Sequence, residues 1–94
     1  MAIRTWACEH TRELFERKRN TVVPPHVVMR ARKKLLLVNA AANIEFLKIP
    51  PVNRLEKLTG DRAGQWSVRV NDKYRVCFEF RSGNAYDVEI VDYH

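Results

Sequence analysis

The residues best suited to chemistry lie in the second half of the chain. Asp92-Tyr93-His94 sets a carboxylate, a phenol and an imidazole side by side: a proton acceptor, a stacking surface and a group that titrates near neutrality. Upstream, Arg69 and Arg75 flank the triplet Asn71-Asp72-Lys73. If that triplet is a hairpin loop, the two arginines stand directly opposite each other on one face of a sheet, a like-charge pairing that costs up to about 1 kcal/mol. Two readings follow. A nearby carboxylate, Glu56 or Glu79, neutralises the pair, or a phosphate bound between the guanidinium groups does. Arg54, Lys57, Arg62 and Lys73 extend a basic surface around them, although each alone is an ordinary surface cation. The terminal triplet also has a plain alternative, a frayed strand end. Strand parity sends Asp92 and His94 to one face and Tyr93 to the face of Arg75, so the three converge only if the strand end twists.

The elements that must position these residues are legible in the hydrophobic pattern. Trp66, Val68 and Val70 alternate with polar residues, as do Tyr74, Val76, Phe78 and Phe80, and then Tyr86, Val88 and Ile90. Three antiparallel strands with one apolar face follow. A two-residue turn at Asn71-Asp72 would put the apolar rows on opposite faces. A three-residue loop pairs Val70 with Tyr74 and Val68 with Val76, and the same test predicts a three-residue Ser82-Gly83-Asn84 loop pairing Phe80 with Tyr86. The first half reads as helical. Ile3–Trp6 is a candidate edge strand, a helix is expected over Cys8–Lys18 with its stop at Asn20, and Pro24-Pro25 breaks the chain before a second helix. In that helix Val28, Ala31, Leu35, Val38 and Ala42 form a stripe, with Arg30, Lys33 and Lys34 on a face that is either solvated or meets a partner. Asn43–Lys48 is a last turn or a short separate helix, and Pro50-Pro51 predicts an extended exit. The fold class is α+β, with two N-terminal helices packed on one face of a small twisted antiparallel sheet.

Composition bounds the function. The chain has 94 residues, with 17 Lys and Arg against 11 Asp and Glu, a formal charge of +6. That balance points to a polyanionic partner. No apolar run reaches the length of a membrane span, and residues 1–10 carry no secretory core, so a cytoplasmic protein without membrane contact is expected. Cys8 and Cys77 read as free thiols, and His10, His26 and His94 fall at no metal-ligand spacing, so neither metal nor cofactor is expected. The charge is lopsided: residues 1–34 hold nine basic and three acidic residues, and residues 35–94 hold eight of each.

Three runs carry a family resemblance: Asn53-Arg-Leu-Glu-Lys-Leu-Thr-Gly-Asp-Arg62, Gly64-Gln-Trp-Ser-Val-Arg-Val-Asn-Asp-Lys-Tyr-Arg-Val-Cys-Phe78 and Val88-Glu-Ile-Val-Asp-Tyr-His94. Together they resemble the HigB-type toxins of the RelE/ParE superfamily, in the GraT-like proteic killer branch. The resemblance implies one RelE-like toxin domain over residues 1–94. Its implied activity is that of a ribosome-dependent, metal-independent mRNA endonuclease from a type II toxin–antitoxin system, which cleaves codons in the A site of the 70S ribosome and inhibits translation. The implied partner is a HigA-like helix-turn-helix antitoxin, with no small-molecule cofactor. The family's catalytic arginine falls on Arg75 and its terminal Asp-Tyr-His on Asp92, Tyr93 and His94. Where some HigB toxins carry His and Lys, this chain has Glu56 and Thr59, which leaves the general base between Asp92 and Glu56. RNA contacts are expected from Arg54, Lys57, Arg62, Arg69, Asn71 and Lys73. The same fold also supports a non-catalytic ParE-like poison or a plain RNA- or antitoxin-binding module; ParE-like toxins lack the Arg75 and Asp-Tyr-His cluster.

Overall fold

Two helices and a four-stranded antiparallel sheet of order β1-β2-β3-β4 make up the computed structural model, which describes residues 2–49 and 51–92. The helices are α1 (Glu9–Phe15) and α2 (Val28–Ala40); the strands are β1 (Glu56–Lys57), β2 (Trp66–Arg69), β3 (Tyr74–Arg81) and β4 (Asn84–Asp92). Single turns of 3-10 helix at Pro25–Val27, Ile44–Lys48, Pro51–Asn53 and Gly60–Arg62 join them. Neither helix is long and apolar enough to cross a membrane.

The α2 stripe buries as its spacing predicts. Ala31, Leu35 and Val38 pack with Leu14 against Val68, Val76, Phe78, Val88 and Ile90 of the sheet. The last member of the stripe differs: Ala41 is buried and Ala42 exposed, because the helix ends at Ala40 and Ala41 is extended, breaking the helical period. Helix α1 is also shorter than Cys8–Lys18. It closes on Arg17, which takes a left-handed φ of 63°, with Lys18 N donating to Glu13 O at 2.9 Å and Arg17 N to Leu14 O at 3.2 Å. This is a Schellman closure with arginine where glycine is usual. Asn20 instead shapes the connection, its Oδ1 accepting from Val22 N and Val23 N. Arg32 donates to Leu14 O at 3.0 Å, so one of the N-terminal cations satisfies the end of α1.

The N-terminal segment runs parallel to β4 through isolated bridges, Ile3 to Ala85 and Trp6 to Val88, and shields that edge without forming a continuous strand. Pro51 opens a 3-10 turn in place of an extended exit, since a first-turn proline loses no needed N–H bond.

The first hairpin has the expected register, Val68 opposite Val76 and Arg69 opposite Arg75. The second does not. Arg81 pairs with Asn84 and Phe80 with Ala85, across a two-residue Ser82-Gly83 turn whose φ values are 50° and 79°. A bulge between Cys77 and Glu79 then sets Asp87 and Val88 against Phe78, with Asp87 at φ 53°. The extra residue shifts parity by one. Ala85, Val88 and Ile90 form the core row, and Tyr86 turns away to stack under Arg81, whose guanidinium lies 4.1 Å from the ring centre.

Candidate active site on the open face of the sheet

With the helices on one face, β-strand parity turns Ser67, Arg69, Arg75, Cys77, Glu89 and Val91 to the other. Two features fold over this second face. The short strand β1 adds Glu56 beside Ser67, and the chain before it brings the Arg54 carbonyl over β3. Glu56 therefore sits on an edge strand, one strand more than the hydrophobic alternation predicts.

Arg75 is the centre of the arrangement. Only 7% of it is exposed, an unusual position for an arginine. Its Nε donates to Ser67 Oγ at 2.7 Å, and its Nη2 donates to Arg54 O at 2.5 Å and Ser67 O at 3.5 Å. Nη1 faces the exposed Glu56 carboxylate at 3.7 Å. Neutral oxygens thus hold two of the three guanidinium nitrogens, which fixes its orientation without cancelling its charge. Arg54 reaches this position with φ 44°, a left-handed conformation that aims its carbonyl at Arg75.

The two arginines are paired in backbone register, but their side chains diverge. Arg69 turns to Asp72 in the adjoining loop, while Arg75 turns inward to Ser67. Glu56 is thus one of the two expected neutralisers; the other, Glu79, lies farther along β3, opposite Tyr86.

The remaining expected residues fall into two groups. Arg62 reaches the open face, donating to Glu89 Oε1 and Gln65 Oε1, both at 3.0 Å. Lys57 projects from the opposite side of β1, its Nζ 5.8 Å from the Trp66 ring centre. Asp92 pairs with Tyr74 and so has core-side parity, as expected; its Oδ2 is 3.7 Å from Lys73 Nζ at the sheet end. Lys73 also stands 5.7 Å from the Tyr74 ring centre. Asn71 is occupied in the loop, its Oδ1 accepting from Lys73 N at 2.9 Å and Tyr74 N at 2.8 Å. Tyr93 and His94 lie outside the described residues. Among the described residues no group of three or more His, Cys, Asp or Glu is placed to hold a metal ion.

Sequence reasoning passed over Ser67. Its only signal was diagonal: it lies one polar position along β2 from Arg69, on the face of Arg75, within reach of a long side chain. Cys77, beside it in register, is fully buried, and burial raises its thiol pKa, with Arg62 and Arg75 pulling against that and Glu89 adding to it.

A pinned, partly desolvated guanidinium suits stabilisation of a developing anionic charge; the Glu56 carboxylate lies 3.7 Å from it, and Asp92 pairs with Tyr74, the residue preceding Arg75, on the core side of the sheet. Comparison with known proteins bears on what that charge would be. Residues 6–94 match the family described as the RelE-like toxin of type II toxin-antitoxin system HigB. The chain is 36% identical over 81 residues to an Endoribonuclease HigB of Proteus vulgaris, covering 86% of this chain and 87% of that protein. It is 38% identical over 68 residues to Toxin HigB-1 of Vibrio cholerae serotype O1, covering 72% of each. Among solved structures, the YoeB-YefM complex from Staphylococcus aureus superposes with a TM-score of 0.60 at 14% identity, over 100% of this chain and 99% of that one, a likeness of fold.

Proposed function

Because this chain belongs to the HigB-like family of type II toxin–antitoxin toxins, we propose that it is a ribosome-dependent endoribonuclease that cleaves mRNA codons in the A site and so halts translation. The observation that carries the proposal is Arg75, buried yet oriented by Ser67 and the Arg54 carbonyl toward an open face. In the proposed reaction a carboxylate, Asp92 or Glu56, takes the proton of a ribose 2′-OH. The 2′-oxygen attacks the adjacent phosphorus, the P–O5′ bond breaks, and the leaving 5′-oxygen receives a proton from His94. The products are a 2′,3′-cyclic phosphate and a free 5′-OH. Arg75 stabilises the phosphorane charge, a role whose loss typically costs about 3 kcal/mol of transition-state energy. Arg69 and Lys73 at the loop, with Arg54 and Arg62 beside them, steady the RNA backbone; Lys57 and Asn71 stand at its margin. Tyr93 stacks on a codon base. Charge stabilisation comes from arginine rather than from a metal ion.

A site with one well-held cation and two loosely placed carboxylates is catalytically modest. The ribosome makes up the difference by presenting mRNA in a bent, in-line geometry, since positioning can contribute as much as acid and base together. On this reading residues 1–94 act as one toxin domain in the cytoplasm, where ribosomes are, and a HigA-like helix-turn-helix antitoxin holds it inactive. Primer extension on mRNA incubated with the purified protein, with and without 70S ribosomes, tests the proposal. Codon-phased breaks that need ribosomes are expected. Intact mRNA in both arms, with inhibition of DNA supercoiling instead, contradicts it.

A further inference from the structure

The rim of the molecule where α2 meets the end of β2 carries a groove of about 560 Å³. Strand β1 pairs only with Trp66 and Ser67, so β2 beyond that point is itself a sheet edge, and the groove runs along it. Four cations line the groove: Arg30, Lys33 and Lys34 from α2, and Arg69 from β2. Among the described residues no carboxylate does. Among the described residues, Arg30, Lys33 and Lys34 take part in no ion pair, and Arg69 meets only the loop residue Asp72. Lys34 instead donates to the buried Asn53 carboxamide at 2.7 Å. Its pKa is held below that of an ordinary lysine, first by burial and then by the neighbouring charges of Arg30, Arg69 and Lys33, so the cations lie close together and uncompensated.

The floor is apolar: Leu36, Leu37, Val52 and Val70 line it. The apolar surface also continues past its ends, with Met29 73% and Ile49 75% exposed. A phosphate backbone makes no use of such a floor, whereas an amphipathic helix does. Arg30, Lys33, Lys34 and Leu37 recur at i, i+3, i+4 and i+7, and Met29 and Leu36 stand two turns apart beside them, so cations and apolar side chains share one exposed face of α2.

We propose that this groove receives an amphipathic helix bearing acidic residues along its flanks, and that the helix belongs to the antitoxin of the preceding section. The inference rests on that reading of the partner and adds the docking face and the chemistry that recognises it. Arg69, which lines the groove, stands opposite Arg75 in register, so a helix docked here borders the Arg75 site. Arg30, Lys33 and Lys34, part of the basic excess of residues 1–34, then serve to hold a protein rather than RNA.

Titration calorimetry with the purified cognate antitoxin, with polyuridylate as an RNA probe, tests this on three double or single variants. Arg30 and Lys33 are exposed, so R30E/K33E keeps the fold; K18E/K48E makes the same charge change at lysines outside the groove. R30E/K33E is expected to weaken antitoxin binding by about 100-fold or more and Leu36→Gln by about 10-fold, with K18E/K48E within about 3-fold of the parent. Ribosome-dependent cleavage by R30E/K33E stays at the parent rate, and co-expressed antitoxin no longer neutralises it. Unchanged antitoxin affinity in R30E/K33E overturns the groove, as does an equal loss in K18E/K48E. Loss of polyuridylate binding with antitoxin affinity intact reassigns the groove to RNA and also overturns it. If the parent chain itself binds no antitoxin while still cleaving mRNA, the partner reading fails instead.

Discussion

Arg75 is oriented by neutral acceptors at Nε and Nη2 and faces the Glu56 carboxylate through Nη1, and that arrangement determines what each neighbour contributes. Ser67 is fully buried and supplies the acceptor for Nε. Ser67→Ala removes a hydrogen bond to a charged group, and the expected loss of stability is about 1.5–3 kcal/mol, read from the urea midpoint. Because Ser67 acts through Arg75 and touches no substrate, the cleavage rate on saturated ribosomes falls while the ribosome concentration for half-maximal rate stays unchanged; Ser67→Thr, which keeps the hydroxyl, recovers most of the rate. Cys77 yields a second prediction. Burial lifts its thiol pKa above that of the unfolded chain, so stability from the neutral thiol is full below the ordinary thiol value of about 8.5 and is lost as pH rises through the folded value. Melting temperature therefore declines above pH 9 more steeply in the parent than in Cys77→Ala, and at pH 8 iodoacetamide labels half-exposed Cys8 well before Cys77. The opposition of Arg69 and Arg75 was readable from alternation alone, because only one loop length buries both apolar rows. The side chains' divergence was not. A long flexible arginine selects its partner from whatever the folded chain brings near, and Asp72, Ser67 and the Arg54 carbonyl are near only once the loop and β1 are in place.

At the scale of elements, the two hairpins show where strand patterning succeeds and where it stops. In the first, Asn71 closes the loop with its own side chain and parity is continuous through β2 and β3. In the second, the Ser82-Gly83 turn and the Asp87 bulge each alter parity, so a three-residue loop accounts for the pattern at Val88 and Ile90 while misplacing Tyr86. A bulge leaves no mark in a hydrophobic pattern when a small residue such as Ala85 takes the core position. The turn's backbone makes opposite predictions for its two residues. Gly83 sits at φ 79°, and a Cβ there would meet Ala42 O at 3.1 Å, so Gly83→Ala costs about 1–2 kcal/mol and lowers Tm by several degrees. Ser82, at φ 50°, occupies the position where asparagine is preferred in a turn with both φ values positive, and Ser82→Asn raises Tm. Differential scanning calorimetry of the pair reads both. The ends of α1 and α2 were misjudged for a related reason: Arg17 accepts a left-handed φ that sequence convention gives to Asn or Gly, and Ala41 leaves the helix while remaining in the core.

For the molecule as a whole, the net charge of +6 points to a polyanionic partner but not to where it binds. The basic first third contributes α2 and its groove, with Arg32 serving the fold, while the charge-neutral remainder holds the proposed active site. Composition cannot separate these surfaces, because what distinguishes them is whether a cation has an apolar floor beside it or a set of neutral acceptors around it. Both arrangements appear only when α2 is laid against the sheet. On the proposed mechanism, Arg75 is the cation on which RNA cleavage depends. Single-turnover cleavage of mRNA positioned in the A site of 70S ribosomes, compared for the parent chain and Arg75→Ala with ribosome binding measured alongside, isolates that dependence. The expected result is a fall in rate of about 10²–10³-fold with binding to the ribosome retained. Cleavage by a folded Arg75→Ala protein at the parent rate would contradict it.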